Sequence, residues 1–137
     1  MAASTPKPAN GDDSLPPAGV LLIAHGSRDA GWSAPFDALR DMLAARSVVV
    51  ELAFLERMQP DLAGAAAALV DRGCARAVVV PVFLGQGGHV REDLPRLVAD
   101  AMRRHPGIEL ALAPPVGENR DVIEAIARVC VTLRETF

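Results

Sequence analysis

Two histidines, His25 and His89, each stand just beyond an apolar, strand-like run in a glycine-containing segment. Imidazole ligates first-row divalent metals and accepts protons near neutral pH, so two of them at one place can hold an ion, move a proton, or do both. Glu56 closes another such run, and a carboxylate beside two imidazoles makes a donor set suited to an open metal site. Arg28, Arg91 and Arg96 accompany them, and guanidinium groups take carboxylates bidentately. Each residue also has a plainer use. A histidine can cap a helix or hold loop backbone, Glu56 can be a solvated loop charge, and an arginine can simply face water. The chemical use requires that the residues meet at one edge of the fold.

The elements that must bring them there follow from the apolar pattern. Residues 20–24 form a short continuous apolar run, the form of a strand buried on both faces. A helix follows, with Ser33 as its cap, Pro35 in its first turn, and Phe36, Leu39 and Leu43 on its apolar face. A second strand at 48–54 ends in a loop that carries Glu56 and Gln59, and Pro60 opens an alanine-rich helix that stops at Gly73. The third strand spans 77–84 and contains Pro81, which predicts a bulge or a shifted register. A loop at 85–89 leads to a helix with Leu94, Leu97, Val98 and Ala101 on one face, ended by His105, Pro106 and Gly107. A fourth strand at 108–113 precedes a last helix with Val122, Ile123, Ile126 and Val129.

Alternating strands and helices imply right-handed crossovers and one parallel sheet, an α/β doubly wound fold with helices on both faces. The flavodoxin-like strand order 2-1-3-4 sets the carboxyl ends of strands 1 and 3 side by side at the switch point, where such folds bind their ligands. His25 and His89 are then expected to face one crevice, with Glu56 on the neighbouring strand end. The glycines before His89 would let backbone amides approach a ligand, and the helix that follows points its positive end there.

Composition narrows the function classes. The 137 residues suit one domain, expected at 19–137, after a disordered tail at 1–18 rich in Ala, Pro, Ser and Asp. A net charge of -3 argues against nucleic-acid binding by broad phosphate neutralisation. No apolar run approaches the ~20 residues of a membrane span, and the tail has no signal-peptide core, so a cytoplasmic protein is expected. Cys74 and Cys130 stand far apart, outside any CxxC pattern, which fits a reducing compartment. An α/β-hydrolase is excluded because the GxSxG elbow is missing. Phosphohistidine phosphatases carry an arginine directly before the first-strand histidine, where this chain has Ala24.

From about Val20 through the third helix the chain resembles the short CbiX/SirB group of class II chelatases. The segments that carry the resemblance are LLIAHGSRD, VELAFLERMQP and VVVPVFLGQGGHVREDLP, in that order. It implies a chelatase-like fold and ATP-independent insertion of a divalent metal into sirohydrochlorin, for cobalamin or sirohaem biosynthesis. It assigns metal binding and proton acceptance to His25, metal binding to His89 and, in some members, to Glu56. It assigns substrate contact to Gln59 and to the loop residues Leu84, Gly85, Gln86, Gly87 and Gly88. Arg28 and Arg91 would meet the eight carboxylates of that tetrapyrrole. Archaeal members often carry glutamate at the position of Gln59 and a second histidine at that of Gln86. No permanently bound cofactor is implied; the metal, Co2+, Fe2+ or Ni2+, is a substrate. Single-unit members resemble half of a two-lobed relative, so a homodimer is expected to supply the second wall. Two rival readings use the same residues differently: a metal- or tetrapyrrole-binding protein without turnover, and a phosphate-binding module in which the histidines are dispensable.

Overall fold

The computed structural model describes residues 17–137; the tail expected at 1–18 therefore lies, up to residue 16, outside the described residues. The strands are β1 (Gly19–Ala24), β2 (Val50–Phe54), β3 (Arg76–Pro81) and β4 (Glu109–Leu112). The helices are α1 (Ala34–Ala45), α2 (Leu62–Asp71), α3 (Gly88–Arg104) and α4 (Arg120–Arg134), with 3-10 turns at Ala30–Ser33 and Val116–Glu118. All three strand pairings are parallel and the order is β2-β1-β3-β4, as the alternating pattern predicts.

Parity along the strands divides the core in two. Leu21, Ile23, Ala53, Ala77 and Val79 face α2 and α3, where Ala65, Ala66, Leu69, Leu94, Val98 and Ala101 meet them. The small side chains of α2 let its backbone lie close to the sheet. Leu22, Ala24, Val50, Leu52 and Phe54 face the other way, toward Phe36, Leu39 and Leu43 of α1. Among the described residues no polar or charged residue is buried, so every group capable of chemistry lies at a rim. No helix among them is long and apolar enough to cross a membrane. The last helix behaves differently from the others: α4 has no buried residue and packs chiefly on the turn that precedes it.

Several boundaries differ from the sequence reading, each for a local reason. The second strand starts at Val50 because the Val48 amide is spent on the Leu43 carbonyl at the end of α1. The third ends at Pro81, and the expected bulge does not form: the register with β1 runs unbroken from Gly19↔Ala77 to Ile23↔Pro81. Val82 donates to Ile23 on one side and Val79 accepts from Ala113 on the other, so by alternation the N–H that proline lacks would point toward β4, whose ladder has already ended at Leu112. Ser33 makes no side-chain cap, since the 3-10 turn capped by Asp29 leads directly into α1. Asp61 caps α2 by accepting from Gly64 at 2.8 Å, which leaves Pro60 outside the helix. His89 lies in the first turn of α3 rather than in the loop before it.

Leu94 is 1% exposed beneath the sheet, and Leu94→Ala should cost about 2–5 kcal/mol of stability by urea denaturation. Leu97→Ala, on the solvent side of the same helix at 40% exposure, should cost well under ~1 kcal/mol.

Candidate functional site

The carboxyl ends of β2, β1 and β3 form one continuous edge because backbone pairing carries on past the strands. Leu55 donates to the Ala24 carbonyl at 2.9 Å and Glu56 to the His25 carbonyl at 3.0 Å, which lays the Glu56 segment alongside His25. On the other side Val82 donates to Ile23 at 2.8 Å and leads the chain to Phe83. Phe83 is buried, and its ring stacks on the exposed imidazole of His25 with centroids 4.4 Å apart and planes 30° apart. His25 thus rests on an apolar floor with its outer side open to solvent. Gly26, at φ +94°, makes the turn possible: a Cβ there would stand 1.8 Å from the Glu56 carbonyl oxygen.

Around this centre the predicted residues take distinct places. Glu56 is exposed, and its Oε2 lies 3.3 Å from Nε of Arg57, a surface pair that holds little energy. Arg57 has φ +67° and Met58 donates back to the Glu56 carbonyl at 2.8 Å, so the segment turns tightly before the exposed Gln59. Leu84 is a 66% exposed leucine at the mouth of the next loop, and Gln86 is half-buried. Gly85, Gly87 and Gly88 are exposed, and a Cβ built on any of them would meet nothing within 4 Å. Packing does not demand these glycines; they leave the loop amides open to whatever approaches. Gly87 is the N-cap of α3 and offers no side chain to its amides, and His89 follows two residues later, exposed. Arg28 and Arg91 are exposed, whereas Arg96 pairs with Asp93 on its own helix.

The fold therefore sets His25, Glu56, Gln59 and residues 84–88 along one edge, with His89 a loop away at the start of α3. It does not gather His25, Glu56 and His89 into a ligand set: among the described residues no three His, Cys, Asp or Glu side chains converge to hold a metal ion. His105 caps the opposite end of α3. Sequence reasoning missed Phe83. The 2-1-3-4 order, combined with Phe83 as the aromatic residue closing the strand beside His25, was the available signal.

Gly26→Ala should lower stability by about 2 kcal/mol or more, since the methyl meets backbone in a left-handed conformation; Gly85→Ala should be nearly neutral. Paired denaturation curves check the contrast.

The chain is also similar to known proteins in sequence and in fold. The sequence profile of the CbiX family matches residues 19–132. The chain is 33% identical over 116 residues to a sirohydrochlorin cobaltochelatase of Saccharolobus solfataricus, covering 80% of this chain and 91% of that protein. It is 29% identical to the chloroplastic sirohydrochlorin ferrochelatase of Arabidopsis thaliana, covering 79% of this chain but only 49% of the plant protein. Among solved structures it is similar to a CbiX protein from Marinobacter aquaeolei (TM-score 0.80, 30% identity, 88% of this chain and 100% of that one). It is also similar to the sirohydrochlorin chelatase SirB from Bacillus subtilis in complex with cobalt (TM-score 0.70, 28% identity, 81% of this chain and 48% of that one). The chain thus spans about half the length of the plant enzyme and of SirB, and nearly all of the archaeal enzyme and of the Marinobacter protein.

Proposed function

The chain belongs to the CbiX family, and from that premise we propose that it inserts a divalent metal, Co2+ or Fe2+, into sirohydrochlorin without ATP, for cobalamin or sirohaem biosynthesis. The observation that carries this reading is the exposed His25 imidazole, seated on Phe83 at the end of β1 and flanked by the Glu56 segment. The reaction exchanges one M2+ for two pyrrole protons, so it needs ligands that take the ion from water and a base that receives protons. Stacking on Phe83 restrains the imidazole ring of His25 without consuming its basic nitrogen, which stays available to take the ion or, at a separate step, a pyrrole proton.

In this reading His25 contacts the ion and accepts a proton in successive steps through the same nitrogen, His89 is a second metal ligand, and Glu56 contributes from the margin. The exposed apolar side chain of Leu84 suits the face of a macrocycle, and the open amides of Gly85, Gly87 and Gly88, with Gln86 and Gln59, suit its polar rim. Arg28 and Arg91 would pair with its carboxylates. The SirB structures with cobalt and with Fe3+ support cobalt or iron as the metal. One four-stranded unit offers one wall for a large ring, so we infer a homodimer as the working form.

Anaerobic incubation with sirohydrochlorin and Co2+, Fe2+ or Ni2+ in turn, followed by absorption, tests the activity. His25→Ala should lower the rate by ~10²–10⁴-fold even at saturating metal, the range of a general base. His89→Ala should raise the metal concentration needed, and Glu56→Gln should cost less than either. Tetrapyrrole binding without an absorption change of insertion would favour the binding-protein reading instead, and wild-type rates in both histidine variants would refute the chelatase reading.

A further inference from the structure

Of the glycines at the carboxyl edge, Gly85, Gly87 and Gly88 leave open space where a side chain would be, whereas Gly117 lies directly against backbone. It belongs to the 3-10 turn Val116–Glu118, which leads from β4 to α4. Its amide donates to the Phe83 carbonyl at 2.9 Å. A Cβ at Gly117 would stand 1.7 Å from the Leu84 carbonyl oxygen, 2.3 Å from the carbonyl carbon and 2.4 Å from Cα of the same residue. All three are main-chain atoms, so no side-chain rotation makes room. Among the described residues the glycines with positive φ are Gly26 and Gly73, so at Gly117 it is the close approach, not the backbone conformation, that demands glycine.

That contact reaches His25 through one residue. The amide of Val82 donates to the Ile23 carbonyl at 2.8 Å, and the next residue, Phe83, gives its own carbonyl to Gly117. The backbone of Phe83 is thus held by the sheet before it and by the turn after it. Its buried ring is the floor on which the His25 imidazole stacks, with centroids 4.4 Å apart. The turn is itself a fixed support. It starts from β3, where the Ala113 amide donates to the Val79 carbonyl at 2.9 Å, and Pro114 and the buried Pro115 stiffen it. It ends at Asn119, which caps α4 by accepting from the Asp121 amide at 2.8 Å.

We propose that Gly117 is a positioning residue for His25: by holding the Phe83 carbonyl and keeping side chains away from the Leu84 backbone, it places the Phe83 ring and, through that ring, the imidazole. The inference deepens the chelatase reading and rests on it for what His25 does. The magnitude is adequate. A methyl at Gly117 must open a 1.7 Å contact to at least 3.0 Å, which moves the chain at Leu84 or the turn by more than an ångström. A misplacement of ~1 Å that begins away from the reacting atoms can cost ~10²-fold in rate. Leu84 also belongs to the wall assigned to the substrate, so a test of this role must tell His25 from Leu84.

Proton NMR of the three imidazoles at fixed pH tests this without metal or substrate. In the wild type the ring C–H resonances of His25 should lie upfield of those of His89 and His105, because they sit over the face of Phe83. Phe83→Leu keeps an apolar side chain and should abolish that displacement, and Gly117→Ala should reduce or abolish it. Gly107→Ala, at an exposed glycine of the opposite edge with open space around it, should leave it unchanged. Should Gly117→Ala fail to fold, one glycine added between Ala113 and Pro114 withdraws the amide from Phe83 without adding a side chain, and the same loss is expected. A wild type without the upfield displacement, or wild-type His25 resonances in whichever of these two chains folds, overturns the proposal. Kinetics gives the second readout: kcat for insertion at saturating metal should fall ~10–10²-fold in Gly117→Ala. A higher KM for sirohydrochlorin alone, with wild-type kcat and His25 resonances, would mean that the glycine serves Leu84 only, and overturns the proposal as well. Wild-type kcat in His25→Ala refutes the chelatase reading instead, and the resonances still decide whether Gly117 places the ring.

Discussion

Backbone pairing between β1 and both of its neighbours, continued beyond the regular strands, holds the rest of the carboxyl edge in place. The amides of Leu55, Glu56 and Val82 all find carbonyl partners on β1 or just after it. These bonds give His25 a fixed position between two chain segments before any side chain is considered. Gly26 allows the backbones to approach, and Phe83 then supplies a stacking contact that orients the ring. Were the ladder to stop at Ala24, neither the glycine nor the aromatic contact would be required.

An apolar interior with its charges at the rims has a consequence for the chemistry. Among the described residues no buried side-chain polar atom lacks a partner and no buried ion pair exists, so the fold's stability does not draw on the groups at the edge. His25, Glu56, His89, Arg28 and Arg91 are exposed and can change partners at little conformational cost.

Much of this was legible in the residues. The continuous apolar run before His25 and the alternation of strands with helices led to the 2-1-3-4 order, because parallel strands buried on both faces leave few other patterns. Pro81 misled, since a proline within an apolar run looks like a defect inside a strand, whereas here it ends one, on the side where β4 has already run out. The start of α3 at Gly88 was hidden because glycine is a poor marker of a helix beginning, and His89 was read as loop for that reason. Val122, Ile123, Ile126 and Val129 marked the last helix in the sequence, yet none of them is buried, because periodicity reports that a helix has an apolar side and says nothing about which surface that side meets.

Gly117 ties two parts of the molecule that the chain separates. Its amide holds the carbonyl of Phe83, whose ring lies against His25, and a side chain in its place would collide with the carbonyl of Leu84 at the mouth of the open loop. The root of the C-terminal arm and the floor of the reactive edge are thus a single mechanical unit. Whatever free energy a ligand in the loop spends on shifting the root of α4 is returned, in equal measure, as a change in the loop's affinity when that root is moved.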